Sequence, residues 1–138
     1  MQRVQQHIIT DYLGEQPVGT SFIISTGNEQ HPWLAHTPTM RVPMGISRTD
    51  YVYVAMWAML RAVGLHNQGE QQPIKRVVCP GLGTGTGGVH PEEAARQMAL
   101  AYKNYLNPPQ AISWPYADQR QQQIRLGGDF GLHMPTKG

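Results

Sequence analysis

Residues 74–96 have the sequence IKRVVCPGLGTGTGGVHPEEAAR, and the predicted arrangement of the rest of the chain follows from them. The apolar run 74–79 is typical of a buried strand in a parallel sheet, and Pro80 ends it. Residues 90–93, His-Pro-Glu-Glu, predict a helix start, because proline fits the first helical position and carboxylates suit the first turn. The stretch therefore predicts a strand, a glycine-rich loop and a helix.

The loop between this strand and this helix is suited to binding an anion. Glycine backbone takes positive φ and lets a ligand approach closely, and successive loop amides bind phosphate. Glutamates at the start of the helix would repel an anion on its axis, so we predict that the ligand lies on the loop amides. The predicted ligand-binding residues are Gly83, Thr84, Gly85, Thr86, Gly87 and Gly88.

Residues 83–88 also satisfy G-x-G-x-x-G, the fingerprint of dinucleotide-binding folds. No acidic residue follows about 20 residues later, as that fold requires. A P-loop is excluded, because no Lys-Ser or Lys-Thr pair follows the glycines. A glycine turn that binds nothing remains the alternative.

Composition limits the possible classes of protein. The 138 residues suffice for one domain with a core, and the net charge of +2 gives no indication of a specific nucleic-acid partner. We interpret the single cysteine, Cys79, as a small core residue. No apolar run approaches the roughly 20 residues that span a bilayer, and residues 1–10 lack a signal-peptide pattern. We therefore predict a cytoplasmic protein without membrane contact, metal site or cofactor.

Hydrophobic spacing predicts the remaining elements. A first helix is predicted over 2–13, ended by Gly14, and is followed by strands over 19–26 and 32–43, the second with a bend at Pro38. A second helix is predicted over 47–63, with a Ser47–Asp50 capping box at its start and Gly64 after its end. The helix that follows the glycine loop is predicted to continue through Tyr105. The order α-β-β-α-β-α predicts a layered α/β domain over residues 1–109. Residues 110–138 are predicted to form an irregular tail, anchored on the domain by Trp114, Tyr116 and Ile124.

Few side chains near the loop are suited to acid–base chemistry. His90, Glu92 and Glu93 are better explained by the helix start. His36 has no acidic neighbour in sequence, and we interpret it as a hydrogen-bonded structural histidine. The sequence therefore assigns no catalytic residue.

From about Gly14 to Tyr105 the chain resembles the C-terminal two-thirds of a macro domain, the ADP-ribose-binding module. The resemblance rests on GTSFIISTG at 19–27, WLAHT at 33–37 and, most specifically, VVCPGLGTG at 77–85. It implies an α/β/α fold in which the loop 83–88 wraps the diphosphate and distal ribose of ADP-ribose. Many family members place an aromatic residue where this chain has Thr86 and Gly87.

The resemblance also implies opening strands with an acidic adenine-binding residue and a first loop with an asparagine, which this sequence lacks. We therefore expect an N-terminally truncated macro-like fold that binds ADP-ribose or a related nucleotide diphosphate weakly. The alternatives are an ADP-ribosyl hydrolase completed by a partner chain and a non-binding structural remnant. Because the missing strands would leave apolar edges uncovered on the two predicted strands, we also expect a homo-oligomer, most simply a two-fold dimer.

Overall fold

The computed structural model describes residues 1–69 and 71–125 of the chain. Within these residues the elements are α1 (Gln2–Tyr12), β1 (Phe22–Ser25), β2 (Trp33–His36), α2 (Tyr51–Gln68), α3 (Pro91–Leu106) and α4 (Trp114–Arg125). The combination of helices with a small sheet confirms the predicted α/β class. No helix in these two ranges combines the length and apolar character needed to cross a bilayer.

The two strands form an antiparallel hairpin in which Ile23 lies opposite Ala35. Just beyond the ladder, the amide of Thr26 donates to the carbonyl of Pro32 at 3.0 Å, so the turn continues the same register. In the described part of the chain, no third strand joins this sheet. A two-stranded hairpin is only marginally stable by itself, so its stability depends on the helices that pack against it.

The first helix covers one side of the hairpin. It ends where Leu13 takes a left-handed φ of 55°, which confirms the predicted end before Gly14. Val4 is buried, and the His7 ring stacks on Phe22 with a centroid distance of 3.9 Å. Phe22 is therefore buried, whereas the sequence predicted an uncovered apolar face here.

The central helix α2 contacts α3 and both strands. The predicted Ser47–Asp50 capping box is wrong, because Asp50 is the N-cap residue and its side chain makes no capping hydrogen bond. The cap comes from α3 instead: buried Gln97 Oε1 accepts from the Tyr53 amide at 2.9 Å, and Gln97 Nε2 donates to the Thr49 carbonyl at 3.0 Å. The helix start is thus fixed by tertiary contact.

The prediction that Gly64 ends this helix is also wrong, since α2 continues to Gln68. A β-carbon at position 64 would collide with the hydroxyl of Tyr105 on α3. The glycine therefore allows two helices to pack closely, and its cost to helix stability of about 1 kcal/mol is offset by that packing.

A fourth helix, α4, replaces part of the predicted irregular tail 110–138. Ile124 is buried beside Tyr53 and Ala101, as an anchor should be. Trp114 is 89% exposed, so it anchors nothing. Residues 115–125 contain four glutamines and two arginines, which favour helix, and the prediction of an irregular tail gave this propensity too little weight. Residues 126–138 lie outside the described part of the chain.

The predicted strand over 74–79 does not form. Residues 72–81 run without a turn or a bend, but no strand pairs with them among the described residues. Val78 is 86% exposed and Val77 44% exposed, so the apolar run is not buried either. A strand requires a neighbouring backbone, and local sequence gives no information about whether one is present.

Candidate functional site

The glycine loop lies between residues 72–81 and α3, and internal hydrogen bonds fix its shape. The Val89 amide donates to the Gly83 carbonyl at 3.0 Å, and the Gly88 amide donates to the Gly85 carbonyl at 3.0 Å. The Ile46 amide donates to the Gly87 carbonyl at 2.8 Å, which ties the loop to the segment before α2. The loop is therefore an ordered turn structure rather than a flexible linker.

Two of the loop glycines are required by the core. Gly83 has a φ of 72°, and a β-carbon there would lie 3.0 Å from Ile46 Cδ1 and 3.1 Å from Val52 Cγ2. A β-carbon on Gly87 would meet the carbonyl oxygen of Gly83 at 2.6 Å. These positions need glycine for packing whether or not a ligand binds.

Gly85 has a different role. A β-carbon at this position would meet nothing within 4 Å, and its φ lies outside the left-handed region. Neither packing nor backbone conformation therefore requires glycine at position 85. A glycine that the fold does not need, on an exposed part of the loop, leaves space for the close approach of a ligand.

The loop forms one side of an open cleft of about 370 Å³. Gly83, Gly85, Thr86 and Gly87 line it, and residues 39–43 form the opposite side. Thr84 and Gly88 do not line the cleft: the Thr84 hydroxyl donates to the Gly81 carbonyl at 2.7 Å and closes the turn. The structure thus brings four of the six predicted site residues together at one cleft.

Arg41 is a cleft residue that the sequence analysis missed. Its guanidinium Nε lies 3.3 Å from Glu15 Oε1, and both side chains are largely exposed. An exposed pair of this kind is weak, contributing about 0–1 kcal/mol, so the guanidinium remains available to an anion. The sequence signal was only an arginine beyond the bend at Pro38 in the predicted strand 32–43, which by itself is not specific.

The cleft also offers backbone donors. The amides of Gly85, Thr86 and Gly87 donate to no acceptor among residues 1–69 and 71–125. Neighbouring amides with free hydrogens, beside a guanidinium, form the donor arrangement that recognises phosphate oxygens.

The acidic and histidine side chains after the loop serve the helix start, as predicted. His90 is the N-cap residue of α3, and its Nδ1 accepts from the Glu92 amide at 3.2 Å. Arg96 donates to both carboxylate oxygens of Glu93, at 2.6 and 2.9 Å, and this hydrogen bonding lowers the pKa of Glu93. Neither residue lines the cleft.

His36 lies in a second groove, described below, rather than in the loop cleft. Its Nδ1 is 2.6 Å from Gln16 Oε1, while Gln16 Nε2 donates to the His36 carbonyl at 3.1 Å. The imidazole therefore donates through Nδ1, and burial lowers the pKa of His36 below its ordinary value of 6.5. The prediction of a hydrogen-bonded structural histidine is confirmed.

Cys79 is half-buried, and burial raises the pKa of its thiol, so the protonated form dominates at neutral pH. Across the two described ranges, no group of three or more His, Cys, Asp or Glu side chains is placed to hold a metal ion.

Comparison with known proteins places the chain in a family. Residues 2–98 match the family described as Macro domain, which is more than half of the chain. A protein of Aquifex aeolicus (strain VF5), described as an uncharacterized protein, is 35% identical over 89 residues. That match covers 64% of this chain and 50% of the relative, so the chain spans about half the relative's length. No solved structure matches.

Proposed function

Because this chain belongs to the macro domain family, whose members generally bind ADP-ribose, we propose that it binds ADP-ribose or a related nucleotide diphosphate in the loop cleft. The diphosphate contacts the amides of Gly85, Thr86 and Gly87, and Arg41 neutralises part of its charge. The remaining predicted residues, Gly83, Thr84 and Gly88, shape the loop that presents these amides.

The observation that carries this proposal is the contrast between Gly85 and its neighbours. Gly83 and Gly87 are glycines because the core and the backbone leave no room for a side chain. Gly85 has open space around it, and its amide and those of the next two residues have no acceptor in the described part of the chain. A ligand that needs close backbone approach explains this combination.

We propose binding without turnover. Two of the three groups near the loop that are suited to acid–base chemistry have structural partners: His90 caps α3, and Glu93 is held by Arg96 and Gln97. The third, Glu92, is exposed in the first turn of α3. Efficient general acid–base catalysis needs a group within hydrogen-bond reach of the reacting atom, and none of the three side chains lines the cleft.

The proposal is tested by following the backbone amide resonances of ¹⁵N-labelled protein during titration with ADP-ribose. We expect the largest shifts at Gly85, Thr86 and Gly87, with smaller shifts elsewhere. Adenosine is the matched control ligand, because it lacks the diphosphate and should leave these amides unchanged. Shifts confined to residues outside the loop and residues 39–43, or equal shifts with adenosine, would refute the assignment.

A further inference from the structure

A second groove, of about 530 Å³, lies between β2 and the straight segment 74–80. Trp33 to Thr37 form one wall, Ile74 and residues 76–80 form the other, and Met59 and Val63 of α2 contribute to the lining. This groove shares no lining residue with the loop cleft. Its walls are two lengths of backbone that face each other without being paired.

The β2 wall offers unpaired backbone groups. In an antiparallel pair, successive residues turn their N–H and C=O groups alternately toward and away from the partner strand. Thr26 bonds to Pro32, so the register turns the backbone groups of Leu34 toward β1 and those of Trp33 and Ala35 toward the groove. Within the described residues, neither Trp33 nor Ala35 makes a further backbone hydrogen bond on that side.

The opposite wall is also unpaired. Ile74 is held at one end by Asn67, whose side chain accepts from the Ile74 amide at 2.7 Å and donates to its carbonyl at 2.9 Å. Beyond that clamp, the backbone of residues 75–80 makes no hydrogen bond to any residue that the structure describes. The indole N–H of Trp33 likewise has no acceptor there, although it is shielded from water.

We propose that this groove binds one extended segment of another polypeptide chain as a β-strand between β2 and residues 75–79. Strand addition at a free sheet edge is an established mode of peptide recognition, in which main-chain hydrogen bonds supply affinity. Here both walls offer backbone groups, so the segment is bonded on both of its edges. The added strand converts a marginal two-stranded hairpin into part of a larger sheet.

The walls limit what can occupy the groove. The occupant must have both of its strand edges free. In a second folded copy, β1 and β2 are hydrogen-bonded to each other, so each of them has only one free edge. The occupant is therefore an isolated extended segment rather than the sheet of a second copy. The groove is mainly apolar, Arg76 and His31 line it, and no acidic side chain is among its described lining residues. An apolar segment with an acidic residue complements this surface.

The test uses a fluorescent, end-capped peptide of alternating valine and threonine with one central glutamate, titrated into the full chain and followed by anisotropy. We expect saturable binding. In one further peptide the odd-numbered residues carry N-methyl groups, and in another the even-numbered residues carry them. Because alternate residues of a strand turn their N–H groups to opposite edges, each of these peptides lacks the hydrogen-bond donors of one edge. Both should bind at least about tenfold more weakly, because each loses several hydrogen bonds of about 0.5–1.5 kcal/mol. Absence of saturable binding, or an effect of only one methylated set or of neither, would overturn the proposal.

A variant tests the β2 wall directly. Ala35→Pro removes an amide that points into the groove and leaves the hairpin hydrogen bonds intact, because proline is tolerated on a strand edge. It should weaken peptide binding about tenfold, whereas Ala35→Ser keeps the amide and should bind like the parent. Equal affinity of the two variants would contradict the proposed wall.

A measurement on the unaltered chain locates the peptide without any variant. Cys79 lines the groove and is the chain's one cysteine, so alkylation reports on this site alone. A saturating concentration of the peptide should slow alkylation of Cys79 several-fold. An unchanged rate in the presence of bound peptide would place the peptide elsewhere and overturn the proposal.

Discussion

Single positions in the glycine loop differ sharply in what they do, although the sequence shows them as one motif. Gly83 has Ile46, Val52 and Val89 around its missing β-carbon, whereas Gly85 has open space. The sequence predicts a glycine-rich loop directly before a helix, and that placement is confirmed. It could not separate packing glycines from a glycine that leaves room for a ligand, because that difference depends on neighbours distant in sequence.

This difference predicts that the same substitution destabilises the fold strongly at position 83 and hardly at all at position 85. Gly83→Ala should lower the free energy of unfolding by about 2–4 kcal/mol, because it combines a left-handed φ with overpacking. Gly85→Ala should change it by less than about 0.5 kcal/mol, as exposed substitutions usually do. Chemical denaturation of both variants measures the two values, and equal destabilisation would mean that position 85 is also a packing position.

Among the elements, those with strong local signals were predicted and those that depend on a neighbour were not. The periodic pattern of residues 2–13 and the His-Pro-Glu-Glu start of α3 are local, and both helices form as predicted. The start of α2 depends on Gln97, 44 residues beyond Tyr53 along the chain, so a capping box was assigned wrongly. The segment 74–79 has strand-like composition but no paired neighbour within the described residues, and composition alone does not form a strand.

The attachment of α4 to α3 predicts a pH dependence. Arg96 donates to the carbonyls of Gln123 and Ile124, and Glu93 holds its guanidinium in place. Hydrogen bonding from Arg96 lowers the pKa of Glu93 in the folded chain. The ionised Glu93 carboxylate therefore contributes its full stabilisation at pH values above 4.5, the ordinary pKa of a glutamate. This stabilisation is lost as the pH falls through the lower pKa that Glu93 has in the folded chain.

Glu93→Gln should accordingly lower the free energy of unfolding at neutral pH by about 1 kcal/mol, the usual scale for a charge-assisted hydrogen bond that is partly replaced. The difference from the parent should shrink as the pH falls below 4.5, because the parent carboxylate then becomes protonated. Glu92→Gln, an exposed change in the same helical turn, is the control: it also removes a first-turn carboxylate, so it reports the helix-dipole effect and should destabilise less than Glu93→Gln. A difference between Glu93→Gln and the parent that does not vary with pH would contradict this role of Glu93.

At the scale of the whole molecule, the exposed apolar surface differs from the one that the sequence predicted. Helix α1 covers Phe22, and Ile23, Ile24 and Trp33 are half-buried, so the predicted uncovered face is smaller. Leu34 remains 43% exposed, and Val77 and Val78 add apolar surface on the other side of the groove. A two-fold dimer remains our prediction. Because its contact would use the walls of the groove, a second copy and an added peptide strand would compete for this surface.

Light scattering at micromolar concentration tests this prediction. We expect a mass near twice the 15.4 kDa of one chain. Val78→Lys places a charge on a largely exposed position and should shift the mass toward that of the monomer without altering the fold. A single species of monomer mass in the parent chain would show that the exposed side chains do not drive association.

Calorimetric titration shows whether the loop cleft binds ADP-ribose through the free amides around Gly85. The parent should bind one equivalent with a dissociation constant on the order of micromolar or weaker. Gly85→Val should abolish the heat of binding, because a branched side chain obstructs the approach to the amides. Gly45→Val, also in open space but outside the cleft, should bind like the parent. Undetectable binding by the parent, or full affinity in Gly85→Val, would contradict the account.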